Sequence, residues 1–256
     1  MERQEAGNGR VRNFRIALQY DGTRYKGWQR QSGSDMTIQG KLEHILTKMC
    51  GETVTIAGAG RTDAGVHARE QIANFHIKTE WQTEQIGEYI NRYLPEDIRV
   101  TKVQEAGERF HSRLNVTGKT YRYVCLKKGS YDVFSRQYTL ELSENVQVDK
   151  MRKAAAYLLG THDFSSFCTK ASKKKSTVRR IDEISITEDD KKIIFSYSGN
   201  GFLYNMVRII TGTLLEVGMG KRSPEDIPTI LERKNRKSAG ETAPAKGLIL
   251  WKVYYD

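Results

Sequence analysis

Apolar residues at Phe14, Ile16, Leu18 and Tyr20 alternate with Arg15, Ala17 and Gln19. A period of two predicts a strand with one buried face. Ile38, Leu42, Ile45, Leu46 and Met49 then recur at helical spacing, and Gly51 is a fitting stop, so a helix is predicted there. Short strands are expected at 53–58 and 71–77. A second helix is expected near 83–94, with Ile86, Tyr89, Ile90 and Tyr93 on one face. Ile98, Val100 and Val103 mark another extended stretch. The predicted order is β-α-β-β-α-β.

The second half gives nearly the same order. A strand is expected at 119–127, then a helix near 149–159 with Asp149 as N-cap and Gly160 as stop. Ile181, Ile184 and Ile186 predict a strand. Asp189-Asp190 predicts a turn into a partner strand, Ile193 to Tyr197. Phe202 to Val217 reads as a long helix. Ser223-Pro224-Glu225-Asp226 reads as a helix start with Ser223 as N-cap. Leu248 to Tyr255 is the last expected strand. The split βαβ order thus occurs twice, which predicts an α+β protein of two ferredoxin-like halves with mixed or antiparallel sheets. The boundary falls near 107–117. The expected division is a frayed tail at 1–10, an N-terminal domain at 11–108 and a C-terminal domain at 117–256.

Composition narrows the partner. The 256 residues are 38% hydrophobic and 29% charged, which suits a soluble folded chain. Lys and Arg total 42 against 31 Asp and Glu, a net charge of +11. That excess fits either a polyanionic partner or a basic surface without one. Cys50, Cys125 and Cys168 are far apart and odd in number, as expected of reduced thiols in a cytosol. The first ten residues have no apolar core of a secretory signal, and no apolar run approaches the ~20 residues of a membrane span. The stretch 169–176, with four lysines, reads either as a solvated loop or as an arm contacting phosphates.

Most familiar chemistries find no support. His44, His67, His76, His111 and His162 show no His-Glu-x-x-His spacing and no finger-like cluster with the cysteines. His67 reads as a residue that orients the turn before it. Gly118-Lys119-Thr120 resembles the end of a phosphate loop, but position 113 is Arg where Gly is required, and a strand follows. No Gly-x-Ser-x-Gly occurs. What stands out is Gly60-Arg61-Thr62-Asp63-Ala64-Gly65-Val66-His67-Ala68, an acid in a glycine-flanked turn with a cation two residues before it. From the residues alone, Asp63 serves as nucleophile, base, metal ligand or turn former. Tyr121 and Tyr123 share one face of a strand with cations around them, which suits either base stacking or a core. Arg208 is a lone cation among apolar helix residues, either snorkelling to solvent or paired with an acid.

The Asp63 segment resembles the signature of the tRNA pseudouridine synthase A (TruA) family. Further blocks are similar to that family in the same order. They are Tyr20 to Gln31, His111-Ser112-Arg113 leading to Tyr121-Arg122-Tyr123, Gly160 to Phe167, Phe202 to Arg208, and Ala243 to Leu248. Together they span nearly the whole chain. The resemblance implies a cytoplasmic isomerase that turns uridine into pseudouridine on the 3′ side of the tRNA anticodon stem-loop (positions 38–40). It implies two α+β domains around a basic cleft, a homodimer, tRNA as partner and no cofactor, and the residue spacings and apolar runs above add the expectation of no metal and no membrane association. Asp63 falls on the nucleophile and Arg208 on the arginine that pairs with it. Tyr121 falls on the tyrosine that stacks on or hydrogen-bonds the target base. Arg61 falls on the arginine involved in extruding the nucleotide. Thr120 and Lys246 depart from the family pattern at positions that bear on RNA contacts more than on chemistry.

The chemistry expected of such a site agrees with the residues. The reaction breaks the C1′–N1 bond, turns the uracil and joins C5 to C1′. A carboxylate attacking C1′ or C6 is suited to it. A paired arginine keeps a desolvated carboxylate ionised. Flipping the base costs a few kcal/mol, which Arg61 and Tyr121 are placed to offset, and Tyr121 is a candidate acceptor for the C5 proton. Two rival readings share parts of this pattern. A non-catalytic RNA-binding protein explains charge and aromatics but not the Asp63 segment, and a carboxylate-based hydrolase of small substrates predicts no salt-dependent RNA affinity.

Overall fold

In the computed structural model of the chain, residues 10–169 and 176–256 are described. Residues 1–9 of the expected tail and most of the lysine-rich stretch at 169–176 lie outside them. Contacts group the chain into two compact units: one ends at Thr117 and includes Leu250–Asp256, and the other is Gly118–Ile249.

The first unit runs β1 (Val11–Tyr20), α1 (Ile38–Cys50), β2 (Ala57–Gly58), β3 (His67–Lys78), α2 (Thr83–Tyr93) and β4 (Ile98–Ala106). Its strand order is β4-β1-β3, with β2 also paired to β3, the ferredoxin-like arrangement. The register sets Phe14 opposite Phe75 and Ile16 opposite Ala73, so one sheet face is continuous and apolar. Phe14, Ile16 and Leu18 are fully buried, as are Leu42, Leu46, Ile86 and Ile90 of the helices. Each such side chain contributes about 1.5–3 kcal/mol. The strand expected at 53–58 shrinks to two residues. Glu43 of α1, itself buried, accepts the Ile56 N–H at 3.1 Å, so a side chain replaces a ladder partner.

The opposite face of β1 and β3 carries a polar pair. Asn74 donates to Asn13 Oδ1 at 3.0 Å, and both are buried. Asn13 Nδ2 donates to the Gly107 and Phe110 carbonyls, and the Ser112 N–H donates to Asn74 Oδ1. The loop after β4 is therefore pinned through its backbone to the sheet.

The second unit runs β5 (Gly118–Leu126), β6 (Leu140–Glu141), α3 (Val148–Ala156), β7 (Gly160–Asp163), β8 (Val178–Glu188), β9 (Lys192–Gly199), α4 (Met206–Gly218) and α5 (Asp226–Arg233), and then enters β10 (Leu248–Tyr254). Its strand order is β5-β9-β8-β7, with β6 parallel to β5. Tyr123, Phe195, Tyr197, Met206, Ile209, Ile210 and Leu214 are fully buried in its core. The sequence places 117–256 in one domain, whereas contacts put Leu250–Asp256 with the first unit, where β10 lies beside β3.

Four expected helix ends, on three helices, are corrected. α4 begins at Met206, not Phe202, because Asn205 sits in the left-handed region at φ 60°, a conformation Asn tolerates and one that stops a helix extending backwards. α3 is capped by Gln147 and ends at Ala156. Asp149 is a first-turn acid bonded to Arg152, and Gly160 opens β7 instead of ending the helix. α5 takes Glu225 as N-cap, since Ser223 is spent on a turn whose carbonyl accepts the Asp226 N–H. β6 and β7, of two and four residues, are too short to leave a pattern. No helix among the described residues is long and apolar enough to cross a membrane.

Candidate active site

Asp63 lies in the turn that leads into β3. Its carbonyl accepts the Val66 N–H at 3.1 Å, and Gly65, third in the turn, has φ 76°. A type II turn needs positive φ at that position, and glycine supplies it without strain. The turn is held from both sides. The Thr62 carbonyl accepts the Trp28 N–H at 3.1 Å, and the Gly65 N–H donates to the Tyr25 carbonyl at 3.3 Å. The Thr62 hydroxyl shares a buried 2.8 Å hydrogen bond with Tyr20, whose phenol pKa is pushed well up by burial. Gln71, fully buried, donates to the Gly60 carbonyl at 2.9 Å.

Gly22 packs directly against the turn. A β-carbon there would lie 2.0 Å from the Val66 carbonyl oxygen, so only glycine lets the two loops touch. The Gly22 N–H donates to His67 Nδ1 at 3.1 Å. That bond requires an unprotonated Nδ1, so Asp21, also 3.1 Å from the same nitrogen, is a neighbour and not a salt-bridge partner in this tautomer. His67 thus orients the turn, as its position in the sequence suggests. Four hydrogen bonds fix the backbone around Asp63, and its side chain is half-buried, while Arg61 is exposed. The clamped backbone fixes where the Cα–Cβ bond of Asp63 points, which leaves the carboxylate only the staggered rotamers about its own side-chain torsions.

In the second unit, Arg208 lies in the first turn of α4 and is half-buried. Nε donates to the Ala243 carbonyl at 2.7 Å and Nη1 to Asn205 Oδ1 at 2.9 Å. The Ala243 N–H returns a bond to the Arg208 carbonyl at 3.1 Å. Two forks of the guanidinium are therefore used to set its plane. Asn205 in turn donates to Thr169 at 3.0 Å. Tyr121 is on β5, 8% exposed, with its ring edge-on to Phe202 at 5.3 Å. Tyr123, on the same strand face, donates to the Pro244 carbonyl at 2.7 Å. Burial raises its phenol pKa, and the nearby Arg208 charge works in the opposite direction.

Of the four predicted site residues, Asp63 and Arg61 belong to the first unit, and Tyr121 and Arg208 to the second. Sequence reasoning missed Asn205 and the Ala243 carbonyl as the groups that orient Arg208. It also missed the Tyr20–Thr62 bond beneath Asp63. Asn205, three residues before Arg208, was the one available signal. Among the described residues no group of three or more His, Cys, Asp and Glu is placed to hold a metal ion.

Comparison with known proteins identifies the family. The chain matches the family described as tRNA pseudouridine synthase over residues 16–115 and 154–256. The first stretch contains Arg61 and Asp63 and the second Arg208, while Tyr121 falls between them. The chain is 46% identical over 240 residues to the tRNA pseudouridine synthase A of Bacillus sp. (strain KSM-64), covering 94% of this chain and 98% of the relative. It is 44% identical over 245 residues to that of Acetivibrio thermocellus, covering 96% and 100%. It is 43% identical over 245 residues to a tRNA pseudouridine synthase A 2 of Bacillus cereus, covering 96% and 100%. The chain belongs to the tRNA pseudouridine synthase family.

Proposed function

We propose that this member of the tRNA pseudouridine synthase family isomerises uridine on the 3′ side of the tRNA anticodon stem-loop, with Asp63 as nucleophile. As a family member the chain is an isomerase acting on tRNA. The observation that carries the residue assignment is the glycine-tight clamp on the Asp63 turn, with Gly22 against the Val66 carbonyl. A turn former needs no such clamp, whereas a carboxylate that must meet one atom of a bound nucleotide does.

In this reading Asp63 attacks the target nucleoside at C1′ or C6, and the C1′–N1 bond breaks with its electron pair leaving on uracil. The uracil turns, C5 bonds to C1′, the carboxylate is released, C5 loses its proton and N1 gains one. Reactant and product are isomers, so the sum needs no water, oxidant or energy source. Arg208 is the cation that keeps Asp63 ionised away from bulk water. Its plane is set in advance by Ala243 and Asn205, so little reorganisation accompanies reaction. Tyr121 lies against the target base and is the candidate acceptor for the C5 proton. Arg61, exposed two residues before Asp63, assists extrusion of the nucleotide. The proposal includes a homodimer working in the cytoplasm, which native mass measurement and cell fractionation check.

The test is to incubate the purified protein with tRNA carrying tritium at C5 of uridine and to map the product. Tritium release with pseudouridine on the 3′ side of the anticodon stem-loop supports the proposal. Release from other regions of the tRNA, with that side untouched, overturns the site. No release at all overturns the reaction.

A further inference from the structure

Beside the Asp63 turn, within the first unit, is an open pocket of about 250 Å³. Its wall includes Trp28, Gln29, Gly60, Arg61, His111 and Arg113. No acidic side chain lines it, so the two guanidiniums face the pocket without a counter-charge in its wall. Neither guanidinium forms a hydrogen bond or ion pair with another described residue.

The loop that supplies His111 and Arg113 is built to hold them still. His111 N–H donates to Asn115 Oδ1 at 2.7 Å, and Asn115 N–H returns to the His111 carbonyl at 3.0 Å. The next residue, Ser112, is fully buried. Its N–H donates to Asn74 and its carbonyl accepts the Tyr255 hydroxyl at 2.7 Å. The Arg113 N–H donates to His111 Nδ1 at 3.1 Å, which leaves Nε2 of the ring as the N–H donor. A buried asparagine pair and a buried serine fix a loop whose outward side chains are both donors.

Cationic donors carried on a clamped turn and a pinned loop, with no acid in the pocket wall, suit a tetrahedral anion. A phosphodiester offers two charged oxygens that guanidinium forks match. A nucleobase suits the pocket less well. Trp28 is only 2% exposed, and a β-carbon at Gly58 would lie 2.5 Å from its ring, so its face is already covered and offers no stacking platform.

We propose that Arg61, Arg113 and His111 hold one phosphodiester of the RNA strand next to the target uridine, and so fix the strand while the nucleotide leaves its stack. This rests on the reading of the chain as a tRNA-modifying enzyme. Arg61 shares the pocket with the turn that carries Asp63, so the bound phosphate and the carboxylate are held by one piece of backbone.

The test is a scan with anticodon stem-loop RNAs, each bearing one neutral methylphosphonate linkage, against the wild-type chain and Arg113→Gln. One linkage is expected to cost the wild type about tenfold in Kd and the variant less than twofold. The variant's salt slope for intact RNA should also be smaller by about 0.7–0.9, the value of one phosphate contact. Additive losses at every linkage, or wild-type affinity and slope in Arg113→Gln, overturn the proposal. Pseudouridine formation by the wild type on the unmodified stem-loop is measured in parallel. Its absence counts against the enzymatic reading, whereas its presence with additive binding losses counts against the phosphate site alone.

Discussion

The Asp63 turn and the Arg208 shelf hold their charged groups by different means. Around Asp63 the restraints described act on the turn's backbone: hydrogen bonds to its N–H and carbonyl groups, and contacts that only glycine permits, such as Gly22 against the Val66 carbonyl at 2.0 Å from a would-be β-carbon. Around Arg208 they are bonds from the guanidinium itself, to Asn205 Oδ1 and to the Ala243 carbonyl 35 residues away in sequence. The difference separates two kinds of tolerance. A carboxylate aimed by its backbone fails as a unit when a neighbouring loop is pushed away. A cation aimed by side-chain bonds loses orientation one bond at a time.

The largest separation of the two regions is expected from Gly22→Ala. Its methyl group overlaps the Val66 carbonyl, and overpacking of this kind costs on the order of 3 kcal/mol. Thermal unfolding should shift down by several degrees and tritium release should fall below detection. A variant with wild-type Tm and activity would show that the turn is not held by this contact.

Arg208→Lys is expected to act on chemistry instead. The planar fork is lost and the charge is kept, so kcat should fall on the order of 100-fold with tRNA affinity changed little. Equal losses in kcat and affinity would place Arg208 in RNA binding. Asn205→Ala should be milder, about tenfold in kcat, since Ala243 still accepts from Nε. The same loss in Asn205→Gly, which keeps the αL helix start and lacks the acceptor, would locate the effect in the bond to Arg208, while wild-type activity in Asn205→Gly would locate it in the αL helix start.

How legible these regions are in sequence follows from the same difference. The Asp63 turn carries its restraints in residues that advertise them: Gly65 and Gly60 next to the acid, and Gly22 in the segment after an alternating strand. β1 and α1 are readable because burial on one face enforces a period. Arg208 is readable as an anomaly, a cation among apolar residues, but its orientation is not. Asn205 interrupts the expected helix through a backbone angle, and the Ala243 carbonyl has no side-chain signature at all. The strand expected at 53–58 fails similarly, because the bond from Ile56 to Glu43 is a tertiary choice that no local period encodes.

The smallest effect is expected at Asp163, the last residue of β7. Burial works to raise its carboxyl pKa, but hydrogen bonds from Ser165 and Thr177 and the Lys234 ammonium prevail and hold it at about 2. The unfolded value is about 3.9. Ionised Asp163 therefore adds stability above about pH 4 that fades as pH falls towards 2. Asp163→Asn should flatten that part of the stability curve in acid-unfolding measurements, without changing kcat at neutral pH. A variant that loses activity at neutral pH would tie this cluster to the site.

The central claim is that the acid in the clamped turn is the nucleophile, and Asp63→Asn tests it most directly. The substitution keeps the turn and removes the charge. Single-turnover tritium release from C5-labelled tRNA should fall at least 1000-fold, on the scale of a lost covalent nucleophile, while Kd for tRNA stays within about threefold. Release from Asp63→Asn within tenfold of the wild-type rate would contradict the account.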